Sequence, residues 1–228
     1  IHQGEFTAHA TLFVGSPQQY IDFANTFGNT YSYVTGTAGW AYDTRDSLIA
    51  TNSGTFSRGS SELAGGDLKF YRLSYAHNWY RPLTRTFTLM LTGEIGYAGG
   101  IGEQPLPFFK NYYAGGPGTV RGFRSFSLGP RDVTGNNVGG NRRVLAGTEV
   151  LFPVPGAAQD RSLRLAWFLD GGQVYDRTYE LNNLRYATGL AFKWVSPFGP
   201  LHLSYAKALN ASPTDRLQQL QFTLGANF

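Results

Sequence analysis

The residues that could do chemistry in this 228-residue chain are four histidines, a glycine-rich run, a few serines and scattered carboxylates. His2, His9, His77 and His202 show no metal-ligand spacing, and cysteine is absent, so thiolate ligands, disulfides and a cysteine nucleophile are all excluded. The run Gly116-Pro117-Gly118-Thr119-Val120-Arg121-Gly122 superficially matches a nucleotide-binding glycine loop, but its last spacing is wrong and no helix signal follows. Asp43-Thr44-Arg45 begins like an aspartic-protease signature and lacks the glycine, which makes it a turn. Ser204 and His202 share a strand face, where i and i+2 side chains sit about 7 Å apart, too loosely for a nucleophile and its base. The expectation is therefore a non-enzyme with no catalytic residues, no metal and no cofactor.

One piece of ionic chemistry remains. Residues 106–132 form a connection too aromatic for a solvated loop, carrying Phe108, Phe109, Tyr112, Tyr113, Phe123 and Phe126 around Arg121. Such a segment is expected to bury these rings inside the molecule. A buried Arg121 then needs a carboxylate, because an unpaired interior charge is costly.

The elements that must supply those carboxylates are strands. From Gln219 to Phe228, Leu220, Phe222, Leu224, Ala226 and Phe228 alternate with Gln219, Gln221, Thr223, Gly225 and Asn227, a period of two. The same alternation predicts strands over 201–209, 184–194, 162–172, 143–153, 85–98, 68–81 and 31–42, with a weaker one over 6–14. Residues 54–64 do not alternate cleanly and are assigned to a strand because their neighbours need a partner. Tyr20, Phe23, Ala24 and Phe27 recur at helical spacing after Ser16, predicting a short helix over 17–27 with Ser16 as its cap.

Connections alternate between short (82–85, 154–161, 196–200) and long (15–30, 99–142), as periplasmic turns and extracellular loops do in outer-membrane barrels. A soluble sandwich also alternates, but here the face opposite the apolar one is Gly, Ala, Ser, Thr, Gln and scattered charge. The apolar face ends in Tyr71, Trp79, Trp194 and Phe228, as interfacial girdles would. No run approaches the roughly 18 apolar residues of a membrane helix, so spanning requires a closed barrel. The expected fold is an all-β antiparallel transmembrane barrel of about ten strands with a long loop folded into its lumen.

Parity then shows which carboxylates are available to Arg121. Glu149 shares a face with Arg143 and Gly147, and Asp170 with Arg164 and Ala166, on the two strands that follow the loop. Glu94, on the strand before it, is a third inward carboxylate. Charge-assisted bonds from Arg121 to Glu149 and Asp170 would pin the loop in the lumen.

Val120-Arg121-Gly122-Phe123 resembles the VRGF motif in the sixth extracellular loop of the BamA family of barrel-assembly factors. Phe109 to Gly116 is similar to that family's run before the motif, Ser127 to Pro130 to the run after it, and Ser196 to Leu201 to its turn before the penultimate strand. Phe222 to Phe228 resembles its C-terminal β-signal. The resemblance covers nearly the whole chain and begins around the family's seventh strand, so residues 1–228 correspond to the C-terminal part of a sixteen-stranded barrel, without the preceding POTRA domains. It implies that Arg121, Glu149 and Asp170 form a lumenal lock, and that Phe222, Leu224, Gly225 and Phe228 belong to one side of a lateral seam. Gly225, on the inward face, would let that strand kink.

The implied function is assembly and insertion of other β-barrel proteins into the outer membrane of a Gram-negative bacterium. The alternatives are a TamA-like or two-partner secretion transporter, or a passive pore. Implied partners are unfolded barrel clients, outer-membrane lipid and lipopolysaccharide, and lipoproteins of the assembly complex docking through the POTRA domains. A net charge of +4 comes without any dense basic block, so nucleic acid is not expected. The chain opens Ile1-His2-Gln3-Gly4 without a signal peptide, which is read as a mature form or a fragment.

Overall fold

The computed structural model describes residues 2–9 (main chain only), 16–48, 50–157, 160, 162–176, 178–197 and 199–225. Ten strands run as an antiparallel meander: β1 (His2–His9), β2 (Thr30–Asp43), β3 (Gly54–Gly66), β4 (Phe70–Pro82), β5 (Thr88–Gly100), β7 (Arg142–Pro153), β8 (Leu163–Tyr175), β9 (Arg185–Ser196), β10 (Gly199–Ala208) and β12 (Leu220–Leu224). Two short strands, β6 (Gly122–Phe123) and β11 (Leu217–Gln218), pair with each other as a separate ribbon. No helix among the described residues is long and apolar enough to cross a membrane.

The alternation that predicts these strands also decides which way they face. Val34, Leu63, Leu73, Ile95, Trp167, Leu169, Leu190, Leu203, Leu220 and Phe222 are all exposed, whereas Thr35, Glu149, Asp170, Gln173, Ser204 and Gln221 are buried. Apolar outside and polar inside is the inverse of a soluble sandwich and fits a sheet whose outer face meets hydrocarbon. Aromatic residues mark both rims, and all four tryptophans lie at one of them, together with the exposed Tyr42. Trp40, Trp79, Trp167 and Trp194 lie two to four residues from the short-connection ends of their strands. Tyr71, Tyr97, Tyr186 and Tyr205 lie one to three residues from the opposite ends. Tyr71 and Trp79 are separated by eight residues of β4, which spans about 20 Å for a strand tilted by ~40°.

Several expectations shift. β1 covers His2–His9 rather than 6–14, in register with β2 from His2↔Thr37 to His9↔Thr30; residues 10–15 lie outside the described set. β3 forms over Gly54–Gly66 despite its irregular pattern, because β2 and β4 offer ladders on both sides. The helix α1 (Gln18–Phe27) forms where its spacing predicts, but Ser16 is not its cap. Pro17 occupies that position with φ −52°, without a side-chain cap; a proline at the start of a helix sacrifices no intrahelical hydrogen bond. α1 packs at the long-loop mouth, where Phe23 joins Tyr31, Tyr33, Leu68 and Phe70 in a buried cluster.

Candidate functional site

The 101–141 connection enters the curl of the sheet and contacts strand after strand on its inner face. Val120, Phe123, Tyr112, Ala114 and Leu128 of the loop form a dry cluster with Ala98, Leu145, Val174 and Ala187 of the wall. Gly122 is needed where the loop presses on β9 and β10: its φ is +87°, and a Cβ there would lie 3.2 Å from Ala206 Cβ and 3.4 Å from Ala187 Cβ. This left-handed conformation costs glycine little and other residues more.

Beside that cluster the structure brings Arg121, Glu149 and Asp170 together. Arg121 Nε donates to Asp170 Oδ2 and Nη2 to Oδ1, both at 2.7 Å, and the Arg121 main-chain N–H donates to Asp170 Oδ2 at 3.1 Å. Arg121 Nη1 lies 2.8 Å from Glu149 Oε1. The three residues are 9%, 6% and 3% exposed for Arg121, Glu149 and Asp170, so these bonds act where water screens them little. The bidentate fork to Asp170 also fixes the plane of the guanidinium.

Two further members of this cluster escaped the sequence reading although strand parity put both on inward faces. Phe168 of β8 lies flat under the guanidinium, with Arg121 Cζ 3.5 Å from its ring centroid; attraction of a cation to a ring face grows as water is removed. Lys193 of β9 pairs with the second Glu149 oxygen. Glu149 thus serves two cations and Arg121 two carboxylates, a chain of alternating charge across β7, β8 and β9.

Glu94 does not join Arg121. It pairs with Arg143, which also donates to the Tyr113 carbonyl at 3.1 Å. The reason is reach: Gly96 of β5 pairs with Arg143 of β7, which sets Glu94 close to that arginine on the same wall. Arg143 belongs to a second anchor. The Tyr112 ring lies between Arg72 Cζ at 4.2 Å and Arg143 Cζ at 5.1 Å. Its hydroxyl donates to the Leu73 carbonyl at 2.6 Å and lies 3.1 Å from Ser74 Oγ. The ring fits because Gly96 has no side chain; a Cβ there would stand 2.7 Å from Tyr112 Cζ.

Burial of the loop aromatics is selective. Tyr112 and Phe123 are buried, but Phe109 and Phe126 remain 38% and 67% exposed. These two rings pack edge-on against loop neighbours, Phe109 on Phe108 and Phe126 on Tyr113, with centroids 5.4 and 6.0 Å apart.

The last strand is tied to the same loop. Leu217 and Gln218 of β11 pair with Phe123 and Gly122 of β6, directly beyond Arg121. Arg124 N donates to the Arg216 carbonyl at 2.8 Å, and Gln221 Nε2 of β12 donates to the Phe123 carbonyl at 2.7 Å. Phe222 and Leu224 are outward and exposed. Gly225 follows β12 with φ +103°, its N–H donating to the Pro200 carbonyl at 2.8 Å. Phe228 lies outside the described residues. Below the loop tip, Glu94, Arg58, Lys193, His202 and Gly225 line a cavity of about 560 Å3.

A model of the Omp85 superfamily domain matches residues 9–228. The outer membrane protein assembly factor BamA of Neisseria meningitidis is 37% identical over 93% of this chain and 32% of its own length. The sorting assembly machinery 50 kDa subunit of Saccharomyces cerevisiae is 29% identical over 82% of this chain and 41% of its own. A crystal structure of BamA from Haemophilus ducreyi lacking POTRA domains 1–3 superposes with a TM-score of 0.85 at 22% identity, covering 96% of this chain and 52% of that one. The chain therefore spans about a third to a half of the relatives it matches.

Proposed function

Because this chain belongs to the Omp85 superfamily, we propose that it is the seam-bearing part of a factor that assembles β-barrel proteins, integral to the outer membrane of a Gram-negative bacterium. The physical task is to give an incoming strand hydrogen-bond partners before it meets hydrocarbon, where each unmet main-chain group costs several kcal/mol. No catalytic group or cofactor enters this reading. The substrates are unfolded barrel proteins, and accessory lipoproteins would dock on periplasmic domains of the parent protein rather than on this chain.

The observation that carries the proposal is the tie that runs from the Arg121 cluster through the loop to the start of β12. Gln219 accepts from Ala206 N at 2.9 Å and Gly225 N donates to Pro200 at 2.8 Å. Main-chain direction alternates along an antiparallel ladder, so residues 219, 221, 223 and 225 face β10. Leu220, Phe222 and Leu224 therefore turn their N–H and C=O groups away from β10, while their exposed side chains face lipid. Such an edge templates another strand. The Arg121 cluster holds the loop, and the loop holds the start of this strand through the β6–β11 ribbon, so the lock positions the edge. A passive pore is disfavoured because the pinned loop occupies the lumen above the cavity that Lys193 and His202 line.

The test uses the full-length parent protein in liposomes and an unfolded client barrel, with insertion followed by gel mobility. Phe222→Pro removes one edge donor and leaves the β10 ladder intact, and is expected to slow insertion about tenfold. Phe222→Ala keeps the donor and should insert at close to the wild-type rate. Equal rates for the two variants would refute edge templating.

A further inference from the structure

Where the loop leaves the lumen, the β6–β11 ribbon sets Arg124 and Arg216 opposite each other, and Arg131 comes back along the loop to close a third side. The three arginines surround a hollow of about 270 Å3 that Ser125, Ser127 and Asn136 also line. Like charges placed opposite on a ladder repel, so this grouping needs compensation, and the nearby Asp215 supplies it only to Arg131. Asp215 accepts from Arg185 Nε at 2.6 Å and stands 3.9 Å from Arg131. Asp132 accepts from the Thr134 hydroxyl and the Thr134 and Asn136 main-chain N–H groups. Burial acts to raise the Asp132 carboxyl, but these bonds, all to Oδ1, outweigh it and hold it below its ordinary value, while Oδ2 is buried without a hydrogen-bond partner.

No acidic residue is among those lining the hollow. The Arg124 guanidinium has no hydrogen-bond or ion-pair partner among the described residues, and Arg216 has one long bond, to the Gly135 carbonyl at 3.4 Å. Asn137, on the same wall, buries an amide nitrogen that has no acceptor.

We propose that this hollow is a phosphate-binding site. Guanidinium forks match the oxygens of a tetrahedral anion, and two hydroxyls stand beside them. Its height supports this chemistry. Arg216 precedes Leu220 by four residues, and Leu220 pairs with Tyr205 of the rim away from the tryptophans, so the arginines stand at the level of lipid headgroups on the long-loop side. Two sources carry the required group: a phosphorylated saccharolipid headgroup and free phosphate. The site adjoins the start of β12, but its failure would leave edge templating untouched.

The experiment titrates the full-length parent protein in detergent micelles with sodium phosphate, and separately with mixed micelles of diphosphorylated lipid A, by phosphorus NMR. Saturable line broadening is expected. Broadening by phosphate alone identifies the free anion as sufficient; broadening only by lipid A assigns the headgroup. Arg124→Gln with Arg216→Gln should weaken binding about a hundredfold, tenfold for each charge-assisted contact removed. Heat-modifiable gel mobility reports whether that pair folds, and Arg124→Gln alone, at an exposed side chain, gives the same test at about tenfold. Absence of saturable broadening with both probes, or equal affinity in wild type and variants, overturns the site.

Discussion

Replacing Arg121 with alanine removes three charge-assisted contacts, two to Asp170 at 2.7 Å and one to Glu149 at 2.8 Å, together with the stack on Phe168. Truncating one partner of a buried ion pair costs about 3–5 kcal/mol, mainly by stranding the other charge. Two features favour the lower end of that range. Glu149 keeps Lys193, and Asp170 keeps the main-chain N–H of residue 121. At 1.4 kcal/mol per factor of ten, about 3 kcal/mol raises the undocked population of the loop tip about a hundredfold. Proteolysis tracks that population when reclosing outpaces cleavage. Proteinase K acting on the full-length parent protein in detergent should therefore cut residues 115–125 about a hundredfold faster in Arg121→Ala. Cuts at 108–112 should change little, because the Tyr112 anchor is intact. Arg121→Lys should fall between, since an ammonium cannot reproduce the planar fork. Identical cleavage of Arg121→Ala and wild type would show that this cluster does not hold the loop.

The second anchor makes a complementary prediction: Tyr112→Ala should cost about 3–5 kcal/mol of local stability and move the new cuts to 108–114, whereas Tyr112→Phe, losing only hydroxyl bonds, should cost about 1 kcal/mol. A cleavage map unchanged by Tyr112→Ala would remove this anchor from the account. Gly225→Val meets open space but a hostile φ of +103°, so about 1–3 kcal/mol of strain should straighten the end of β12 and slow client insertion; an unchanged rate would count against the kink. Leu190→Arg, on the outward face midway along β9, should destabilise the folded protein in lipid by about 2–4 kcal/mol. Urea unfolding in liposomes measures this, and a neutral result would contradict the assignment of that face to hydrocarbon.

Alternation is a local property, set by a backbone that turns successive side chains to opposite faces, and it is fully encoded in neighbouring residues. That is why ten strands, the inward placement of Glu149, Asp170 and Lys193, and the outward placement of Leu220, Phe222 and Leu224 were legible in the amino-acid sequence. β3 was the weak case, with a strand's ladder partners but not its pattern. The VRGF-containing run was legible for a different reason: so many aromatics around one arginine have no stable place in water.

Which charge meets which depended on the curl of the sheet. Arg121 and Asp170 are 49 residues apart, as are Arg143 and Glu94, and nothing within either segment distinguishes one carboxylate from another. Ladder register and the entry angle of the loop gave Arg121 to Asp170 and Glu149 and left Glu94 to Arg143. They also placed Phe168 under the guanidinium and Tyr112 against Gly96. The two-residue strands β6 and β11 are too short to carry any period, so the tie between the loop and the last strand existed only in three dimensions. Side-chain parity is decided one residue at a time along the chain; pairing across a lumen is decided by the curl of the whole sheet, which no single segment specifies.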